Sequence, residues 1–230
     1  MAPQLFGIEH ILYIIISTIV GSAILILSYK YAQGEKERTF VLKGLALLLF
    51  IAIMTNRLSQ VFCWGSPDYK EIIPESFCGM TSLVLSLAVL FGKKDNNVLH
   101  FVWLLGLFGG IATVIYATFL PQGATIFFLP TISGLLHHSL SATLVVALLM
   151  FKQIDITYKK WYCTFFGFTC YLTLGAFLMQ TFNLSDAFHI AEPLLPNTPL
   201  TAWVMAPMYA AAYVAILFGV EIVKRIRLNK

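Results

Sequence analysis

Seven side chains in this mostly apolar chain could do chemistry: Asn56, Arg57, Gln60, Cys78, His137, His138 and Gln180. A thiol is a nucleophile, an imidazole is a base, a guanidinium pairs with anions, and amides donate hydrogen bonds. Asn56 and Gln60, in the run Thr-Asn-Arg-Leu-Ser-Gln, are four apart and share a helix face. Cys78, Ser82 and Ser86 recur at the same interval. His137 and His138 are adjacent, and neighbours on a helix point about 100° apart, so both are not expected to face one target. Each group also has a plainer reading. Arg57 could snorkel to the headgroups, Ser82 and Ser86 could let helices approach closely, and a histidine could simply bond a carbonyl. His100 reads as an interface histidine, and Glu221 as a partner for Lys224 and Arg225.

The surroundings make these groups unusual. Of 230 residues, 59% are hydrophobic and only 11% are charged, with a mean hydropathy of +0.82. Soluble domains carry about a quarter charged residues, so part of the solvent must be lipid. The net charge of +4 is small, and no charged block suggests a nucleic-acid arm. There is no internal repeat and no Gly/Ser-rich linker, which predicts one domain over 1–230. The first apolar run has no basic flank before it and reads as a retained helix rather than a signal peptide.

A bilayer core of about 30 Å needs about 20 apolar residues in a helix. Seven stretches meet or approach that: 10–30, 42–63, 74–92, 98–120, 127–151, 160–183 and 201–223. The expected fold is therefore all-α, a polytopic seven-transmembrane-helix bundle. With seven spans, thirteen of the fifteen Lys and Arg residues fall on one side. They lie between the first and second spans, the third and fourth, the fifth and sixth, and after the seventh, Lys230 being the last. The positive-inside rule then places the N-terminus outside and the C-terminus in the cytoplasm of a multi-pass cell-membrane protein. Trp64, Tyr69 and Trp203 read as interfacial anchors.

On this topology the polar groups of helices 2, 3, 5 and 6 gather in the outer half of the bilayer or near its middle. Ionisable groups at that depth need a partner or a function. Counted from the outer ends of their spans, Cys78 should lie about 6 Å deep and His138 about 17 Å deep. Tilt or a shifted helix boundary has to close that gap if the two are to meet. Cys163 and Cys170, seven apart on helix 6, read as core filling, with no metal-ligand pattern nearby. Cys63 and Cys78 both lie towards the outer surface, where they could form a disulfide or leave Cys78 a free thiol.

Several segments resemble the YwaF-like family of bacterial integral membrane proteins and its animal relative, transmembrane protein 164. These are Pro74-Glu-Ser-Phe-Cys78, the span Trp103-Leu-Leu-Gly106-Leu-Phe-Gly109-Gly110 that ends at Pro121, and His137-His138-Ser139-Leu140. Asn183 through the Pro-rich loop to Ala206-Pro207-Met208-Tyr209 is similar to the family's last loop and helix. The likeness covers roughly 40–225. Around the cysteine the family more often has His-Leu-Cys-Ser, where this chain has Ser76-Phe77-Cys78-Gly79.

The resemblance implies a seven-helix bundle and, through transmembrane protein 164, a cysteine-dependent acyltransferase acting on phospholipid inside the bilayer; a related group of membrane hydrolases, with a Thr and a His in a comparable position, leaves lipid hydrolysis as the variant. Cys78 would then be the nucleophile and His138 its base, by the Cys–His logic found on unrelated folds. Arg57 would favour the thiolate, His137 would support, and Asn56, Gln60 or Gln180 would donate to the oxyanion. Such chemistry calls for no metal and no cofactor, and membrane lipid is the expected partner; oligomeric state is not legible. Two other readings stay open. The cluster could bind an anionic solute in a small transporter, or only lock helices together in an assembly partner.

Overall fold

The computed structural model describes residues 5–228; Lys230, which belongs to the basic tally above, lies outside them. The described residues form seven α-helices and three short 3-10 turns, with no strand among them. The helices are α1 (Ile8–Tyr31), α2 (Glu35–Phe62), α3 (Phe77–Phe91), α4 (Asn97–Ile115), α5 (Leu129–Met150), α6 (Tyr162–Phe182) and α7 (Ala202–Leu228). Six are long and apolar enough to cross a membrane, and α3 is the exception. The chain is a multi-pass membrane protein.

The third element departs most from the sequence-based boundaries. Pro74 and Glu75 stay outside the helix, which begins at Phe77 once the Ser76 hydroxyl accepts a hydrogen bond from the Gly79 amide (3.1 Å). A serine there supplies an acceptor for an amide that the first turn leaves unpaired. α3 then runs for only 15 residues, about 22 Å, against a hydrocarbon core of about 30 Å. The fourth span is also shorter than expected. α4 stops at Ile115, and a 3-10 turn over Ala117–Phe119 carries the chain to Pro121.

Helices α2, α3, α4 and α5 form the packed centre, with α5 against both α2 and α4. Their contact faces hold Leu49, Ile53, Leu85, Val102, Leu144 and Val145, all buried. Small residues bring the backbones together. A Cβ on Gly110 would stand 2.6 Å from the His138 carbonyl oxygen, so α4 and α5 touch there through a residue without a side chain. α1 lies on the flank, its central face exposed as lipid-facing apolar surface. It is fastened by His10 Nε2 to the Val114 carbonyl (2.9 Å) and by Glu9, which accepts from the Ile126 amide (2.8 Å).

At one end of the bundle, loops 63–76 and 183–201 form a cap. The Phe188 amide donates to the Glu75 carbonyl (2.7 Å), and Phe188 stacks with Tyr171, which also stacks on Phe77. At the opposite end the basic loops are tied by Asp95, which accepts from His100 Nε2 (2.7 Å) and the Asp155 amide (2.8 Å).

Candidate functional site

Under the cap lies a cavity of about 700 Å³. Its walls include Cys78 from α3, Gly109 and Thr113 from α4, His137 and His138 from α5, and Asn56, Arg57 and Gln60 from α2. Six of the seven side chains singled out from the sequence therefore face one space. Gln180 does not: it is exposed near the end of α6 and is not part of the lining. A second hollow of about 650 Å³ between α1 and α2 contains no cysteine or histidine.

The depth mismatch between Cys78 and His138 disappears when both are measured from the basic end of the bundle. Cys78 is thirteen residues before Phe91, the last of α3, and His138 is twelve before Met150, the last of α5. At about 1.5 Å per residue these heights are about 20 and 18 Å. The shortness of α3 recesses its first turn below the cap, which brings the thiol level with the imidazole. No strong tilt is needed.

Gly109 is the hinge of the geometry. A Cβ there would stand 3.0 Å from Cys78 Sγ, so the sulfur rests against the α4 backbone where a side chain is missing. The His138 ring meets the backbone of the same glycine, and the Cys78 thiol is directed at the Thr113 hydroxyl, one turn further along α4. Thiol and imidazole thus flank one residue. Among the described residues no hydrogen bond joins Cys78 to either histidine. Both Cys63 and Cys78 are free thiols, so the alternative of a disulfide between them is not what the structure contains.

The two histidines do face the same cavity, contrary to the expectation from their spacing. Their rings lie tilted against each other, 4.2 Å between centroids and 32° between planes, so side-chain torsion compensates for the angle between neighbouring Cα positions. Their partners differ. His137 Nδ1 is hydrogen-bonded to Ser82 Oγ on α3 (3.1 Å), which engages one ring nitrogen in a helix–helix tie. His138 is held only through the α4 backbone, leaving it the freer base.

Asn56 is corrected from oxyanion donor to clamp. Its Nδ2 donates to the Pro130 carbonyl (2.9 Å) and to Ser133 Oγ (3.3 Å), so both of its amide hydrogens are spent on α5. Its Oδ1 accepts from Arg57 Nη2 at 2.8 Å. Gln60 is turned towards the same guanidinium. With its amide nitrogen on Glu71 Oε2 (3.2 Å), its oxygen accepts from Arg57 Nη2. Glu71, from the cap, stands 3.9 Å from Arg57 Nη1. The second cap carboxylate, Glu75, also lines the cavity. Burial, then the Glu71 charge, push its carboxyl above the ordinary range, with Arg57 working the other way.

Sequence reasoning missed three lining residues that matter: Gly109, Thr113 and Tyr209. Tyr209, on α7, presents a buried hydroxyl with no hydrogen-bond partner. The Gly109-Gly110 pair, with a threonine four residues after its first member, was the available signal, because such a pair inside a span lets another helix's groups reach the backbone. No cluster of metal-ligating side chains occurs among the described residues.

No curated protein and no solved structure matches this chain. The sequence profile of one family does, from residue 5 to residue 223, and the TMEM164 family is therefore the one to which this chain belongs.

Proposed function

We propose that this protein is a lipid acyltransferase or hydrolase that works through a thioester on Cys78, with His138 as its general base. One observation carries the reading: thiol and imidazole, sixty residues apart in sequence, flank Gly109 on the wall of one largely apolar cavity. His138 takes the thiol proton as sulfur attacks the ester carbonyl of an acylated lipid. The tetrahedral oxyanion collapses to a thioester, and the alcohol leaves with the proton held by His138. In the second half, the hydroxyl of an acceptor lipid, or water, loses its proton to His138 as it attacks the thioester. The thiol then leaves reprotonated. The Thr113 hydroxyl, beside the sulfur and free of Asn56's structural duties, is the donor best placed for the oxyanion.

The distribution of basic residues supports placing the basic end of the bundle in the cytoplasm and the cavity in the outer half of a cell membrane. An acyl chain would reach the cavity laterally, through lipid. The test is an intact-mass measurement on purified protein incubated with a phospholipid acyl donor. An acyl adduct on Cys78, released by neutral hydroxylamine and absent in Cys78→Ala, is the expected result. An adduct that survives Cys78→Ala, or none accompanied by an unchanged lipid profile, overturns the reading.

A further inference from the structure

We propose that Arg57 is the anion-recognition group of this cavity and that the anion it takes is the phosphodiester of a lipid. The inference rests on the cavity being a substrate site, as argued above, but not on the chemistry assigned to Cys78. Among the described residues, Arg57 is the one Lys or Arg in the cavity wall, and it is about 9% exposed. A guanidinium has five N–H donors, and here few of them are used. Nη2 meets Asn56 and Gln60, Nη1 has only Glu71 at 3.9 Å, and Nε is buried without any partner. A snorkelling arginine would spend its donors on water and headgroups at the surface. This one is pinned inside by two amides at Nη2 and keeps its Nε and Nη1 donors unsatisfied.

Charge-assisted hydrogen bonds from those separate donors suit the oxygens of a phosphate or carboxylate. The remaining wall says what the anion is attached to. Phe77, Leu105, Phe119, Phe168 and Met205 make most of it apolar, which suits acyl chains and not a hydrated ion. Glu71 and Glu75 stand on the same side as Arg57. They would repel a free phosphate dianion more than a singly charged phosphodiester, whose headgroup can bring its own cation. Glu71 then acts as the resting occupant, a loose partner that a phosphate displaces.

Thermal-shift titrations of the full chain in an uncharged detergent test this with three probes: a short-chain phosphatidylcholine, the diacylglycerol with the same chains, and inorganic phosphate. The phospholipid should stabilise the wild type at concentrations about tenfold or more below those the diacylglycerol needs. Arg57→Gln should abolish that difference, Arg57→Lys should keep part of it, and Cys78→Ala should keep it whole. Glu71→Gln leaves the guanidinium intact and should tighten phospholipid binding several-fold, a gain that misfolding cannot produce. Equal response to phospholipid and diacylglycerol, or an unchanged preference in a folded Arg57→Gln, overturns the proposal. A response to inorganic phosphate as strong as to the lipid overturns the lipid source. Loss of acyl transfer in Cys78→Ala with the lipid preference retained bears only on the catalytic reading.

Discussion

The two ends of the bundle handle buried polarity in opposite ways. At the basic end each charge near Asp95 has an opposite. Asp95 receives His100 and the Asp155 amide, Asp155 receives Lys224 Nζ at 2.9 Å, and Glu35 stands 3.7 Å from Lys94. The buried atoms left over in this half, His100 Nδ1, Trp103 Nε1 and Thr164 Oγ1, do not line the cavity. At the capped end, Arg57 Nε and the Tyr209 hydroxyl lack partners, Cys78 is a free thiol, and Glu75 lines a void. Saturated polar clusters hold loops together, whereas idle donors around a cavity wait for something to bind. The difference lies in spare capacity, since both ends contain histidines and carboxylates.

The strongest attempt to break this contrast is at the thiol. Cys78→Ala should lower acyl transfer about 10³-fold or more, and His138→Ala about 10²–10⁴-fold, in a lipid-product assay on folded protein. His137→Ala should act mainly on melting temperature, through the lost Ser82 bond. Next comes Gly109→Ala. Its methyl would press on Cys78 Sγ and shift the sulfur slightly from its seat, costing several-fold in rate with the melting temperature little changed. Unimpaired turnover in Gly109→Ala would show that the sulfur's seat on α4 is incidental.

At the saturated end the currency should be stability. Asp95→Asn weakens a charge-assisted bond to His100 and should cost about 1–3 kcal/mol in a detergent melt, with turnover per folded molecule preserved. The pH dependence has a defined sign. Burial works to raise the Asp95 carboxyl, but the Asp155 amide and His100 outweigh it and hold it below the ordinary range. Its stabilisation is therefore complete above the ordinary carboxylate value, is lost as pH falls through the depressed one, and should be missing from the Asp95→Asn profile. Glu75 gives the smallest and opposite effect. Its raised carboxyl makes the fold less stable as pH climbs from the ordinary value through the raised one. Glu75→Gln should flatten that slope and leave the protein as stable or slightly more so at neutral pH.

Much of this was readable from residue types. Apolar length and the segregation of basic residues yield seven helices, because lipid forces every backbone group into a helix. The polar residues at 56, 57, 60, 78, 137 and 138 converge, because burying them separately would be costly. What was not readable was height. Counting down from Pro74 assumes that a span reaches the surface at its first apolar residue, but Ser76 starts α3 late and the helix falls short. Side-chain torsion was equally hidden, so two adjacent imidazoles facing one space went unforeseen. Asn56 reads as a free donor in sequence, and only the α5 backbone, seventy-four residues on, shows that it is occupied.

The short third helix has a consequence for the membrane itself. A segment about 8 Å shorter than the hydrocarbon slab leaves a mismatch that lipids can meet by thinning locally around it. Thinning would lower headgroups and ester linkages towards the recessed end of α3, so the bilayer would share the work of presenting a lipid to the cavity. Occupancy should then depend on bilayer thickness, being greatest in shorter-chain lipids and falling as chains lengthen. Reconstitution in a series of phosphatidylcholines of increasing chain length would expose this, with the membrane acting as a regulator that contacts no side chain of the site.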